Sequence, residues 1–183
     1  MNKAKVSFTL GKRIASLSDL KLPVVYVPQE VIEETQKLLL SFSGQKQMRK
    51  GIVYWVGTET EQGLFVTQAI APRAAATPIS FRVEAVENAR IVAELQKQGL
   101  QLIAQVHSHP NGVEVDHLIT EPEMGFLPFE GFFSLVVRDY ATNGLLPLTE
   151  KTGIFYYWKG RFLRLTDQQI EAYLQVIPAG GIL

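Results

Sequence analysis

Hydrophobic and polar positions along this 183-residue chain fall into short apolar runs of strand length separated by stretches in which apolar residues recur near helical period. KVSFTL (5–10) alternates and predicts an edge strand, and LPVVYVP, bracketed by Pro23 and Pro28, predicts a short strand. From 29 to 42 the period lengthens: Val31, Ile32, Leu38, Leu39 and Phe42 lie among Glu30, Glu33, Glu34, Gln36 and Lys37, which predicts a helix with acids in its first turn, ended near Gly44. GIVYWVG (51–57) is unbroken, β-branched and aromatic, the pattern of a strand covered on both faces. GLFVTQAIAP (63–72) follows across TETEQG and predicts its hairpin partner. RAAATPIS (73–80) reads as a loop, and 81–98 as a second helix with Val83, Val86, Ala89, Val92 and Leu95 near one stripe, stopped by Gly99. LQLIAQVHSHP is a strand running into two histidines, and GFFSLVVRDY is a further buried strand. IFYYWKG and RFLRL predict a hairpin turning at Lys159-Gly160, DQQIEAYLQVI a terminal helix over 167–177, and PAGGIL a frayed tail.

This order of elements predicts an α/β fold: one domain over 1–183, with its core over about 22–166 and a central mixed sheet flanked by helices on both sides. A hydrophobic content of 46%, with 10% aromatic residues, supports a substantial core and excludes a disordered chain. Eighteen basic and eighteen acidic residues cancel without forming a block of either sign, so neither nucleic acid nor an anionic membrane is an expected partner. No apolar run approaches bilayer length and the N-terminal alternation does not fit a signal peptide, so a soluble, cytoplasmic protein is expected. The absence of cysteine excludes disulfides and leaves nitrogen and oxygen as the only ligand atoms for a metal.

That matters because the three histidines, His107, His109 and His117, fall within eleven residues. In a strand, alternate side chains share a face, so His107 and His109 point the same way and can grip one ion. Pro110 and Asn111-Gly112 turn the chain out of the strand, and Asp116, Glu121 and Glu123 follow closely enough to supply an oxygen ligand. A cupin-type arrangement would use Glu114, but it needs a distant fourth histidine that this chain lacks. Phe126, Phe129, Phe132 and Phe133 are expected in the core.

VHSHP at this place in the order, after GIVYWVG with its terminal glycine and after the helix that precedes the motif, resembles the JAB/MPN (JAMM) metallo-isopeptidases, and more closely their prokaryotic branch. The resemblance runs from the first clear strand to FFSLVVRDY. It implies that His107 and His109 are zinc ligands, and His117-Leu118-Ile119-Thr120-Glu121 resembles the family's next stretch, in which Glu121 takes the place of an aspartate ligand. A register with Thr120 at the family's serine position would make Glu123 the ligand instead, at the cost of a longer loop. His117 then matches a histidine that is not a ligand.

Two positions depart from the family pattern. Counting back seven residues from Gly57, where the family carries its general-base glutamate, gives Lys50; Leu118 stands where the family has a serine that helps hold the oxyanion. A protonated ammonium cannot accept a proton, so three outcomes are open for Lys50: it swings into solvent, loses its proton on burial, or occupies the metal's place and donates to a carboxylate such as Glu121. Glu59 and Glu61 read as ordinary hairpin charges. The resemblance therefore implies a degenerate, Zn2+-type isopeptidase domain with impaired hydrolysis, directed at the tail of a ubiquitin-like protein or peptide, with activating-enzyme-like and conjugating-enzyme-like partner proteins. The competing expectation is a non-catalytic scaffold or binding module in a bacterial ubiquitin-like conjugation system, a pseudoenzyme.

Overall fold

Pro28 both closes β1 (Val25–Pro28) and caps α1 (Gln29–Ser41), so strand passes into helix without a loop. The computed structural model describes residues 21–115 and 125–180; the edge strand expected over 5–10 lies outside them. β2 (Ile52–Thr60) is buried along its first six residues, which accounts for its unbroken apolar sequence. It pairs antiparallel with β3 (Gly63–Ile70) on one side and with β6 (Gln101–Ser108) on the other. β7 (Phe133–Val137) lies parallel to β6, and β8 (Thr152–Trp158) and β9 (Arg161–Arg164) continue the sheet antiparallel, their turn carrying Lys159 and Gly160 at φ 49° and 78°. With β10 (Leu174–Ile177) at one edge, the eight-stranded order is β10-β1-β3-β2-β6-β7-β8-β9, a mixed sheet.

Helices cover both faces. α1 packs Val31, Ile32 and Leu39 into the core formed with Val53, Trp55 and Val106, where Trp55 Nε1 donates to the buried Thr35 hydroxyl at 2.7 Å. α2 (Ala85–Lys97) covers the other face through Ile91 and Leu95, against Ile52, Tyr54, Phe81 and Phe132. Its end is a Schellman motif: Gly99 takes φ 69°, Gly99 N–H donates to Gln96 and Leu100 N–H to Leu95. Phe132 and Phe133 are buried as expected, whereas Phe129 is 43% exposed.

Three expectations need correction. Residues 73–80 are not simply loop, and the second helix does not start at 81: β4 (Ala74–Ala76) and β5 (Phe81–Val83) form a two-stranded sheet. Thr77 closes its turn, with its hydroxyl accepting from Ser80 N–H at 2.9 Å; three alanines carry no periodicity from which this could be read. The stripe on α2 is also rotated, because Val86 is 77% exposed and the inward positions are Glu87, Ile91 and Leu95. Finally, the helix expected over 167–177 stops early: α4 (Asp167–Tyr173), started by a Thr166/Gln169 capping box, gives way to β10 (Leu174–Ile177), which pairs parallel with β1. A short α3 (Leu148–Lys151) precedes β8. Among the described residues no helix is long and apolar enough to cross a membrane.

Glu87 is the buried charge that orients α2. Arg90 donates to both its carboxylate oxygens at 2.8 and 2.9 Å, and Arg73 adds its Nε at 3.0 Å and its backbone N–H at 3.1 Å. The Arg90 hydrogen bonds, opposed by burial and helped by Arg73, hold the Glu87 carboxyl down to about 2. A depressed carboxyl stabilises the fold above its ordinary value of 4.5, and that contribution fades as pH falls toward about 2. Both arginines are largely solvated, so Glu87→Gln is expected to cost only about 1–2 kcal/mol at neutral pH. Urea midpoints of the two proteins should converge between pH 7 and pH 3; a gap of constant size would show that the carboxylate charge is not its source.

Candidate functional site

The polar residues Gln105, His107 and His109 recur at period two through the end of β6 and the residue after it, and the pleat puts them on one sheet face. His107 stands between Ile52 of β2 and Val136 of β7. The strand end is clamped from both sides: Ser108 N–H donates to the Gly51 carbonyl at 3.0 Å, Gly51 N–H donates to Ser108 Oγ at 2.9 Å, and His109 N–H donates to the Val137 carbonyl at 2.8 Å. Tyr140 N–H closes the corner on the His109 carbonyl at 2.7 Å.

The two imidazoles converge, with ring centroids 5.2 Å apart at an interplanar angle of 59°. Both side chains are buried. The Phe81 ring lies 5.5 Å from that of His107, delivered by the β4–β5 turn, which is tied in place where Lys50 N–H donates to the Thr77 carbonyl and the Tyr140 hydroxyl donates to the Pro78 carbonyl. Burial above all, then the charges of His109 and Lys50, push the His107 pKa well below the usual histidine value. The ring is therefore neutral, the form in which imidazole donates a lone pair to a metal.

Neither ring nitrogen of His107 has a hydrogen-bond partner among the described residues. A buried polar atom left so carries a desolvation cost, and an arrangement that retains it fits a ligand rather than a packing role. With two imidazoles and no thiolate, the donor set suits a zinc-type ion.

Lys50 joins the pair. It is 2% exposed, and its Nζ lies 5.7 Å from the Phe81 ring centroid, so the expectation that it swings into solvent is set aside. Glu59 and Glu61 are exposed at the far end of the β2–β3 hairpin, away from the histidines. Asp116, His117, Leu118, Thr120, Glu121 and Glu123 lie outside the described residues, and among the described residues no third His, Asp or Glu completes a metal-holding group. The described chain on either side of them packs beside the neighbours of His107: Val115 clusters with Val136 and Phe155, and a Cβ on Gly125 would stand 3.0 Å from Ile52 Cγ1.

Two contributors escaped the sequence reading. Phe81 was hidden inside the helix assigned to 81–98. Gln105 is fully buried, donates to Ser134 Oγ at 3.3 Å and accepts from Phe126 N–H at 3.2 Å, which ties the 125–129 segment to the histidine strand. Its signal was present, a polar residue two before His107 in an otherwise apolar run.

No protein-family model matches the chain. A protein of Sinorhizobium fredii that bears the name "Probable metalloprotease" is 28% identical over 132 residues, covering 70% of this chain and 78% of its own length. The solution structure of a Desulfitobacterium hafniense protein aligns over 85% of this chain and 92% of that one, with a TM-score of 0.55. At 14% sequence identity, that second likeness is one of fold.

Proposed function

We propose that this protein is a metallopeptidase-like hydrolase domain of the JAB/MPN type, centred on His107 and His109, which acts on or recognises the C-terminal tail of a ubiquitin-like protein with impaired hydrolysis. The observation that carries the reading is the buried, converging imidazole pair, of which His107 leaves both ring nitrogens without a hydrogen-bond partner among the described residues. The similarity to a protein named as a metalloprotease supports the chemical class.

In this reading His107 and His109 hold a zinc ion, with Glu121 as the third protein ligand. A bound zinc ion supplies Lewis acidity toward a scissile carbonyl and lowers the pKa of its water. The chain's own residues do the rest. The Ser108 and His109 backbone bonds fix the pitch of the strand that bears both rings, Phe81 walls the site against water, and burial keeps His107 neutral. Lys50 stands at the position of the family's base, and a lysine that keeps its proton there accepts none.

The burial of Lys50 beside the pair favours a second reading, a non-catalytic binding module. Zinc titration followed by thermal melting tests the common ground. Zinc at about one hundred times its dissociation constant should stabilise the protein by about 2.7 kcal/mol, and His107→Ala should remove the response. A titration to millimolar zinc that leaves both melting curves in place would end the metal-centre proposal.

A further inference from the structure

Lys50 is a buried basic side chain to which the proposed chemistry assigns no step. Ile52 pairs with His107, and Lys50 lies two residues before Ile52, its own N–H held by the Thr77 carbonyl of the β4–β5 turn that also delivers Phe81. Side chains alternate, so Lys50, Ile52, His107 and His109 share one face. Its Nζ stays inside that face, 5.7 Å from the centroid of the Phe81 ring, whose centroid is in turn 5.5 Å from that of His107. This is a cation held by the same aromatic wall that lines the histidine pair. A divalent ion gripped by those rings would share a low-dielectric space with it, where repulsion between like charges rises steeply as water is excluded.

We propose that Lys50 is the resident cation of the histidine site and competes with a divalent metal for it, so that the site holds metal weakly while that ammonium is in place. The inference rests on the reading of His107 and His109 as the metal-binding pair, and it adds a determinant of occupancy to it. It also treats position 50 as more than a missing base: the same side chain that removes the proton acceptor weakens the grip on the ion.

The test measures zinc affinity of the full chain by competition with a chromophoric chelator, for the unmodified protein, Lys50→Met and Lys50→Gln. Methionine keeps the length and apolar stem of lysine and discards its charge. The expected result is one equivalent of zinc bound at least about a hundredfold more tightly by Lys50→Met than by the unmodified protein, a zinc-dependent rise in Tm in the variant, and loss of both in Lys50→Met/His107→Ala. An unmodified protein that binds zinc as tightly as either Lys50 variant overturns the competition and leaves the histidine pair standing as a metal site. Folded Lys50→Met and Lys50→Gln proteins that bind no zinc overturn the inference together with the metal-site reading beneath it. If both substitutions prevent folding, the unmodified protein decides: a Kd for zinc below about 1 μM refutes the competition, and weaker binding that His107→Ala abolishes supports it.

Discussion

Lys50→Glu is expected to acquire zinc-dependent peptidase activity that the unmodified protein lacks or shows only weakly. The substitution acts on two terms together. It replaces a basic side chain buried beside the imidazole pair with a carboxylate, which attracts a divalent ion, and it places a proton acceptor where the proposed JAB/MPN reading puts the general base. General-base catalysis contributes about 10²–10⁴-fold, so a gain of at least about a hundredfold is expected in the zinc-loaded variant. In the proposed JAB/MPN register, Leu118 replaces the serine that helps hold the oxyanion and sets a ceiling, because one missing donor costs about 10²–10³ in rate. The measurement is release of a fluorogenic amide from a Gly-Gly-ended ubiquitin-like tail, with zinc and with chelator, alongside Lys50→Glu/His107→Ala, which should be inactive. A Lys50→Glu protein that carries one equivalent of zinc and cleaves nothing would show that position 50 is not the base position.

Gly57→Ala is expected to destabilise the fold by about 3 kcal/mol or more, among the largest effects of any single methyl addition. Gly57 closes the GIVYWVG run where the β2–β3 register shifts, and a Cβ there would lie 1.8 Å from the Phe65 carbonyl oxygen. That atom is backbone of the adjacent strand and cannot rotate away, so the central pair of the sheet has to open or the bulge has to migrate. For a chain of this size such a loss lowers Tm by about 6–12 °C. Gly44→Ala is the control: nothing lies within 4 Å of its added Cβ, so its melting curve should scarcely move. Equal effects at the two positions would mean that packing at the bulge is not what demands glycine.

Position 57 also shows how sequence and structure divide the account. A glycine at the end of an apolar strand is visible to inspection, but its reason, a neighbouring carbonyl, exists only once β3 has folded back beside β2. The strands and α1 were legible for a simple cause: β2, β6 and β7 are covered on both faces and α1 on one, and burial writes itself into the run or period of apolar residues. The region 74–83 was not legible, since alanines fit helix and strand alike and the hairpin depends on hydrogen bonds from Thr77. The residues of β10 fit a helix by local propensity, and they leave it because the edge of β1 offers them a ladder of backbone partners.

The candidate site divides along the same line. The sequence alone was enough to establish that His107 and His109 share a face, because that follows from the two-residue repeat of any strand, and that a metal here would meet nitrogen and oxygen ligands, because the chain has no cysteine. Only the folded chain settled whether that face is wet or dry, how closely the rings approach, and whether Lys50 points outward or in. Those are properties of residues far apart in the chain, Phe81, His107 and Val136 among them, and no local pattern carries them. Side-chain alternation is imposed by covalent geometry within one strand, whereas desolvation and charge proximity are created by whichever strands and helices come to lie against it.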